Sequence, residues 1–267
     1  MKLRPSRLLR ELRSGTSCAT AKINLSDPRI IELCGLAGMS AVWICNEHVG
    51  NDWFNIENQV RAAKLYDMDT IVRVAKGSYS DYVKPFEADA TAIMVPHVAT
   101  AEEARHVVEM TRFYPLGRRA LDGGNVDGVY CQVPLADYIR HSNTERVLIL
   151  QIESPQALEQ VHEIAAVPGF DILLFGPGDF SHLLGKPGQI NDPVVVDARK
   201  RVAAAAKAHG KFAMSAGVFG SQTTLEAEGY RAFNIGADVI GVGQYFKERM
   251  AEFKNQIPHL AGKSVYQ

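Results

Sequence analysis

Short, continuous apolar runs recur along the chain and alternate with longer stretches of mixed polarity. Cys18 to Lys22 (CATAK), Ala41 to Cys45 (AVWIC), Thr70 to Val74 (TIVRV) and Thr91 to Val95 (TAIMV) are the first four. Runs of this length bounded by turn residues predict strands buried on both faces. The stretches between them open with helix-start residues. Asp27 and Pro28 begin one that runs to Ala37, Trp53 to Tyr66 and Tyr79 to Glu87 follow, and Thr100 with Glu103 makes a capping box ahead of a helix to Arg112.

The second half repeats the rhythm. Val147 to Glu153 and Ile172 to Phe175 predict the fifth and sixth strands, joined by a helix that Ser154 and Pro155 start well. A helix over Asp192 to His209, a strand over Lys211 to Met214, a helix over Gln222 to Glu228, a strand over Arg231 to Ile235 and a final helix over Val239 to Ile257 complete the set. The pattern breaks once, between Phe113 and Arg146, in a glycine-containing stretch too long for a simple connection; such loops are commonly functional. Eight strand–helix pairs predict an α/β fold, a single-domain (β/α)8 TIM barrel over residues 1–267. Within it, residues 1–15 form a basic N-terminal helix at the barrel bottom, and 239–267 the terminal helix and tail.

Composition narrows the partners. With 267 residues, 46% hydrophobic content and a formal net charge of −1, the chain can fill one large core, and no charge excess points to nucleic acid. No apolar run approaches the roughly 18 residues of a membrane helix, and the basic N-terminus lacks the apolar centre of a secretory signal. The four cysteines show no CxxC spacing and sit in apolar surroundings, which predicts reduced core or near-core thiols and a cytoplasmic location.

In a barrel of this kind the active site lies at the carboxyl ends of the strands. That rule gathers Asn46, Glu47 and His48 after strand two, Arg73 from strand three, His97 after strand four, Arg118 and Arg119 from the long loop, Glu153 after strand five, Asp179 after strand six and Asp238 after strand eight. Taken singly, Glu153 and Asp179 read as helix-start acids. Taken together at the ends of neighbouring parallel strands, they suit a hard divalent cation whose other positions stay open to water and substrate. The backbone N–H groups of Gly178 and Asp179 are donors for a substrate carboxylate. His48 has the chemistry of a general base, Glu47 that of an orienting acid, and Arg73 that of fixed positive charge where negative charge grows. For Arg73 a salt bridge to Glu47 or Glu153 is the other reading. Lys22 and Lys76 are the lysines near the rim for a Schiff-base alternative.

Several of these residues stand in motifs. NEH at 46–48, IVRV at 71–74, MVP at 94–96, YPLGRR at 114–119, QIES at 151–154 and GPGDFS at 176–181 follow the order seen in metal-dependent pyruvate aldolases. The chain resembles the HpcH/HpaI aldolase family from about Leu8 to Phe253. The resemblance implies a barrel enzyme, commonly a hexamer with an exchanged terminal helix, that reversibly cleaves a 4-hydroxy-2-oxoacid to pyruvate and an aldehyde with Mg²⁺, Mn²⁺ or Co²⁺. It implies Glu153 and Asp179 as metal ligands and His48, Arg73, Glu47 and Arg119 as catalytic residues. Gly178, Asp179, Arg73 and Arg119 would bind substrate, with Arg119 on the aldehyde-side carboxylate or phosphate. His97 stands where Met is more familiar in the family. Two alternatives stay open: an acyl-CoA lyase of the citrate lyase β or malyl-CoA type, for which the loop arginines are the obvious phosphate ligands, and a non-catalytic barrel binding a metal–oxoacid complex.

Overall fold

A computed structural model describes residues 3–217 and 222–257, so the outermost parts of the two expected terminal segments lie outside the described residues. Eight parallel strands close into a barrel in sequence order: β1 (Cys18–Ile23), β2 (Ala41–Cys45), β3 (Asp69–Arg73), β4 (Ala92–Val95), β5 (Val147–Ile152), β6 (Ile172–Phe175), β7 (Phe212–Ser215) and β8 (Tyr230–Ala237). β8 pairs back onto β1, through Thr20 and Asn234 among others. Every strand is thus bonded on both edges, and the barrel exposes no free edge.

Alternation along each strand divides the core in two. Val42 and Ile44 of β2 point out into the layer between strands and helices. Ala41 and Trp43 point in, and join Cys18, Ile71, Ala92, Met94, Ile149, Leu174, Met214 and Ala232 in the lumen. The bottom of the lumen is plugged by helix α1 (Arg7–Arg13), capped by Ser6, whose Leu8, Leu9 and Leu12 are buried against it. Burial of each leucine stabilises by about 1.5–3 kcal/mol, so the basic N-terminus, despite its arginines, closes the barrel through its apolar face.

The outer ring follows the capping chemistry. Asp27, Asp52 and Thr100 accept backbone N–H bonds at the starts of α2 (Pro28–Leu36), α3 (Trp53–Lys64) and α5 (Ala101–Thr111), with α4 (Tyr79–Glu87) between the last two. The stretch read as one long irregular loop contains a 3-10 turn at Val126–Cys131 and a helix, α6 (Leu135–Glu145). The connection after β5, expected as one helix, is two short ones, α7 (Pro155–Glu159) and α8 (Val161–Ala165), which meet at Gln160. After β6 comes α9 (Pro177–Leu183), then α10 (Pro193–Ala208), α11 (Gln222–Glu228) and the terminal α12 (Asp238–Gln256). All four cysteines are free. Cys18, Cys34 and Cys45 are buried, but Cys131 is exposed on the 3-10 turn, contrary to its expected core placement. No helix among the described residues is long and apolar enough to cross a membrane.

Candidate active site

The carboxyl ends of β2 to β6 bring six of the expected side chains to one mouth: Glu47, His48, Arg73, His97, Glu153 and Asp179. Asn46 N–H donates to the Arg73 carbonyl at 2.8 Å, which extends the β2–β3 ladder by one residue. This extension aims the Glu47 carboxylate inward, where Arg73 Nε lies 2.9 Å from Glu47 Oε2. His48 Nε2 lies 3.5 Å from the same oxygen, with its side chain 61% exposed. Glu47 therefore stands between the proposed base and the fixed cation, and the salt-bridge reading of Arg73 describes a real contact.

Glu153, just past β5, is 1% exposed. Its Oε1 accepts the His97 N–H at 2.8 Å, and His97 Nδ1 lies 3.1 Å from the same oxygen. That approach requires His97 to hold a left-handed backbone, φ 54°, which costs a non-glycine residue roughly 1–3 kcal/mol. Gln151 Nε2 donates to Oε2. The neighbouring Gly176 is needed for space, because a Cβ there would sit 2.7 Å from Glu153 Oε2 and 2.8 Å from Glu153 Cβ.

Burial pushes the Glu153 carboxyl up to about 7, and the nearby negative charges of Asp179 and Glu47 add to the effect. The His97 N–H and the Arg73 charge act the other way without cancelling it. Asp179, the third residue of α9, is exposed at the same mouth, as is Gly178. A Cβ added at Gly178 would meet nothing within 4 Å, so the space beside its Cα is open. Among the described residues no group of three or more His, Cys, Asp or Glu side chains converges to hold a metal.

Arg119 does not reach this mouth. Its side chain is buried in an ion pair with Asp127 (2.9 Å, both side chains 0% exposed), donates to the Tyr138 hydroxyl at 3.2 Å, and lies over the Phe113 ring at 4.7 Å. A guanidinium with a buried carboxylate partner is not free to bind a substrate anion, so the catalytic and substrate-binding roles expected of it are corrected to a structural one. Arg118 points to solvent and pairs with Glu109 at 2.9 Å. Asp238 is also committed, accepting the Asn24 and Leu25 N–H groups at 2.8–3.0 Å. Of the two rim lysines, Lys76 is held by the His97 carbonyl (3.0 Å) and Glu103 (2.6 Å).

Two residues at the mouth were not singled out from the sequence. Gln151 is 2% exposed and contacts Glu153; its signal was a polar residue at an inward position of an otherwise apolar strand. Cys45 Sγ accepts from Arg73 at 3.2 Å. Burial raises the thiol, but the Arg73 hydrogen bond, the backbone N–H groups of His48 and Glu47, and the Arg73 charge together hold it below its ordinary value.

Known proteins share this arrangement of chain. A model of the HpcH/HpaI aldolase/citrate lyase family matches residues 23–242. The 2-keto-3-deoxy-L-rhamnonate aldolase of Klebsiella pneumoniae is 30% identical over 239 residues, 88% of each chain. The 5-keto-4-deoxy-D-glucarate aldolase of Salmonella paratyphi C is 32% identical over 219 residues, 82% of each. Among solved structures, that of the citrate synthase SbnG superposes with a TM-score of 0.85 at 28% identity, covering 93% of this chain and 98% of that one. On the strength of the family match and of two aldolases related over most of their length, this chain belongs to the HpcH/HpaI aldolase/citrate lyase family.

Proposed function

We propose that this protein is a divalent-metal-dependent carbon–carbon lyase that reversibly cleaves a 4-hydroxy-2-oxoacid to pyruvate and an aldehyde. The observation that carries the reading is Glu153: a fully buried carboxylate, crowded by Asp179 and Glu47, whose pKa is pushed up to about 7. A buried acid in such surroundings is under electrostatic pressure that a divalent cation relieves, so the residues present fit the metal. Glu153 and Asp179 would hold it, and the bound Mg²⁺, Mn²⁺ or Co²⁺ would supply positive charge to the keto oxygen of the oxoacid.

The chain's own residues account for the remaining needs. The Gly178 and Asp179 N–H groups bind the pyruvate carboxylate. Arg73, buried and paired with Glu47, presents fixed positive charge at the mouth where negative charge would grow on the reacting oxygen. His48 takes the proton of the substrate 4-hydroxyl during cleavage and returns it in the condensation direction. Glu47, 3.5 Å from His48 Nε2, orients the imidazole.

The test is exchange of pyruvate methyl protons in heavy water with metals added one at a time. Metal-dependent exchange that chelation stops and Glu153→Gln lowers by roughly 10³-fold supports the reading. Retained metal and pyruvate binding without exchange would instead make the barrel a binding module. A second reading, condensation or cleavage of an acyl-CoA, draws on the similarity to citrate synthase SbnG. It is weakened by the burial of Arg119, which leaves the exposed Arg118, paired with Glu109 at the surface, as the loop arginine open to nucleotide phosphates. Pyruvate plus aldehyde, assayed against acetyl-CoA plus glyoxylate, separates the two.

The proposal includes a homo-oligomer, for which the resemblance implies a hexamer, and a cytoplasmic location for its four free thiols. None of the residues of α12 is buried, and Ile240, Tyr245, Phe246 and Phe253 of this helix are 71, 57, 64 and 53% exposed. A helix with so much uncovered apolar surface calls for a covering partner. A second copy of the chain supplies one, and light scattering of the purified protein checks the assembly.

A further inference from the structure

The lysine that the mechanism leaves unused is the rim's one uncommitted cation among the described residues. Cys18 faces the lumen, so its strand-mates Thr20 and Lys22 do too. Lys22 pairs in register with Trp43 of β2 and with Ala237 of β8. Its ammonium lies 5.7 Å from the centre of the Trp43 ring, and the Arg73 guanidinium lies 4.9 Å from the same ring. Two cations thus share one indole. They differ in what else they touch. Arg73 is taken by Glu47 and Cys45, whereas Lys22, half-buried, has no carboxylate or hydrogen-bond partner among the described residues. The acids at the ends of the two neighbouring strands are engaged elsewhere, Glu47 with Arg73 and Asp238 with the Asn24 and Leu25 N–H groups.

A second, independent feature lies beside it. Trp43 is 3% exposed, and its Nε1 is buried without a hydrogen-bond partner. An indole N–H is a donor only, and a buried donor left unmade costs roughly 1–3 kcal/mol. That donor is enclosed, so the ring fixes the position of the ammonium while the unneutralised ammonium itself is the site for an anion at the rim. In the closed ring of strands, β1 and β2 stand opposite β5 and β6. The Lys22 side therefore faces the Glu153 and Asp179 side across the mouth.

We propose that Lys22, held over the Trp43 ring, is the specificity-determining contact for a carboxylate on the far end of the electrophile. The enzyme then prefers aldehydes that carry a carboxylate to neutral ones of similar size. This rests on the aldolase reading, in which the pyruvate half binds on the Glu153 side and its reaction partner fills the rest of the mouth. It also gives the anionic end of the partner a ligand in place of Arg119, which is buried elsewhere.

The experiment compares kcat/KM for succinic semialdehyde against butanal, and for glyoxylate against acetaldehyde. It uses the wild type, Lys22→Met, which keeps the length and loses the charge, and Lys22→Arg, which keeps the charge. Wild type is expected to favour the carboxylated member of each pair. Lys22→Met should cut that preference by roughly 10- to 100-fold, the range of a hydrogen bond to a charged group, while Lys22→Arg retains part of it. A thermal melt of each variant checks folding. Three results would overturn the proposal: a preference unchanged in Lys22→Met, loss of both members of a pair in equal proportion, or borohydride trapping of pyruvate on Lys22, which would make the residue a Schiff-base nucleophile. Methyl-proton exchange in the wild type keeps the two claims apart. Metal-dependent exchange with unaltered aldehyde preference sinks the Lys22 proposal alone, and absence of exchange with every metal sinks the aldolase reading together with it.

Discussion

The two ends of this barrel treat buried charge in opposite ways. At the bottom, the carboxylates of Asp69, Asp127 and Asp171 each meet a counter-charge within the chain. Asp69 accepts from Ser6 Oγ (2.7 Å), the Leu8 N–H (2.8 Å), Arg4 (2.5 Å) and Thr91 (3.2 Å). Asp127 is matched by Arg119 and by the Tyr138 hydroxyl at 2.9 and 2.7 Å, and Asp171 by Arg112 at 2.7 Å. At the top, burial and the crowding of Glu153 by Asp179 and Glu47 push the Glu153 pKa up to about 7, while Lys22 stands across from Glu153 and Asp179 without a carboxylate or hydrogen-bond partner among the described residues. Charge matched inside the chain holds the fold together; charge left over implies a ligand that is not part of the chain.

The largest expected effect comes from breaking the matched end. Asp127→Asn leaves the buried Arg119 guanidinium without its counter-charge, and loss of one partner of a buried pair costs about 3–5 kcal/mol. Urea denaturation should show that loss, with turnover per folded molecule retained. A loss below about 1 kcal/mol would mean that the bottom pairs are as weakly coupled as surface ones.

At the unmatched end the sign reverses. The folded-state pKa of Glu153, about 7, lies above its ordinary value of 4.5, so folded protein holds this proton more tightly than unfolded chain does. The group costs nothing below pH 4.5, progressively destabilises the metal-free fold as pH rises towards 7, and levels off above that. Glu153→Gln should therefore stabilise the metal-free protein at pH 8 by about 1–3 kcal/mol and leave it little changed near pH 4. Added Mn²⁺ should stabilise the wild type and not the variant, because only a folded site that binds the ion gains from it. A destabilised variant at pH 8 would show that the rim acid is structural.

The same contrast explains what could be read from the sequence. The strands were legible because inward and outward faces are both apolar, so each reads as a continuous run such as Ala41–Cys45. The residues at their ends were legible because barrel topology fixes where strand ends lie. Helix α6 was not, since it follows a glycine-containing stretch that read as one loop, starts at Pro134 with no side-chain cap, and buries only Tyr138 and Ser142. The turn before it was also hidden: Val129, Tyr130 and Cys131 adopt left-handed backbone where no glycine announces it. Arg119 looked like an anion ligand because an exposed loop arginine and a buried, matched one have the same local sequence. Only Asp127 and Tyr138, brought to it by the fold, distinguish them. Lys22 shows the converse, a residue whose interest lies in the partners it lacks.

The smallest effect belongs to His97, where the two ends of the comparison meet in one residue. Its backbone N–H is matched, to Glu153 at 2.8 Å, while its side chain is 50% exposed. His97→Gly keeps the N–H and removes the cost of a left-handed backbone for a side-chain-bearing residue, a gain of roughly 1 kcal/mol. It also gives the unfolded chain more freedom, a loss of about 0.4–1 kcal/mol. The two terms oppose each other, so the metal-free stability should shift by less than about 1 kcal/mol in either direction. Glu153 would keep its backbone donor, and metal-dependent stabilisation should persist. If the variant instead loses more than about 2 kcal/mol, the imidazole itself is a matched partner of the Glu153 carboxylate. The rim then carries less surplus negative charge than its geometry indicates, and the electrostatic pressure that favours a cation there is correspondingly weaker.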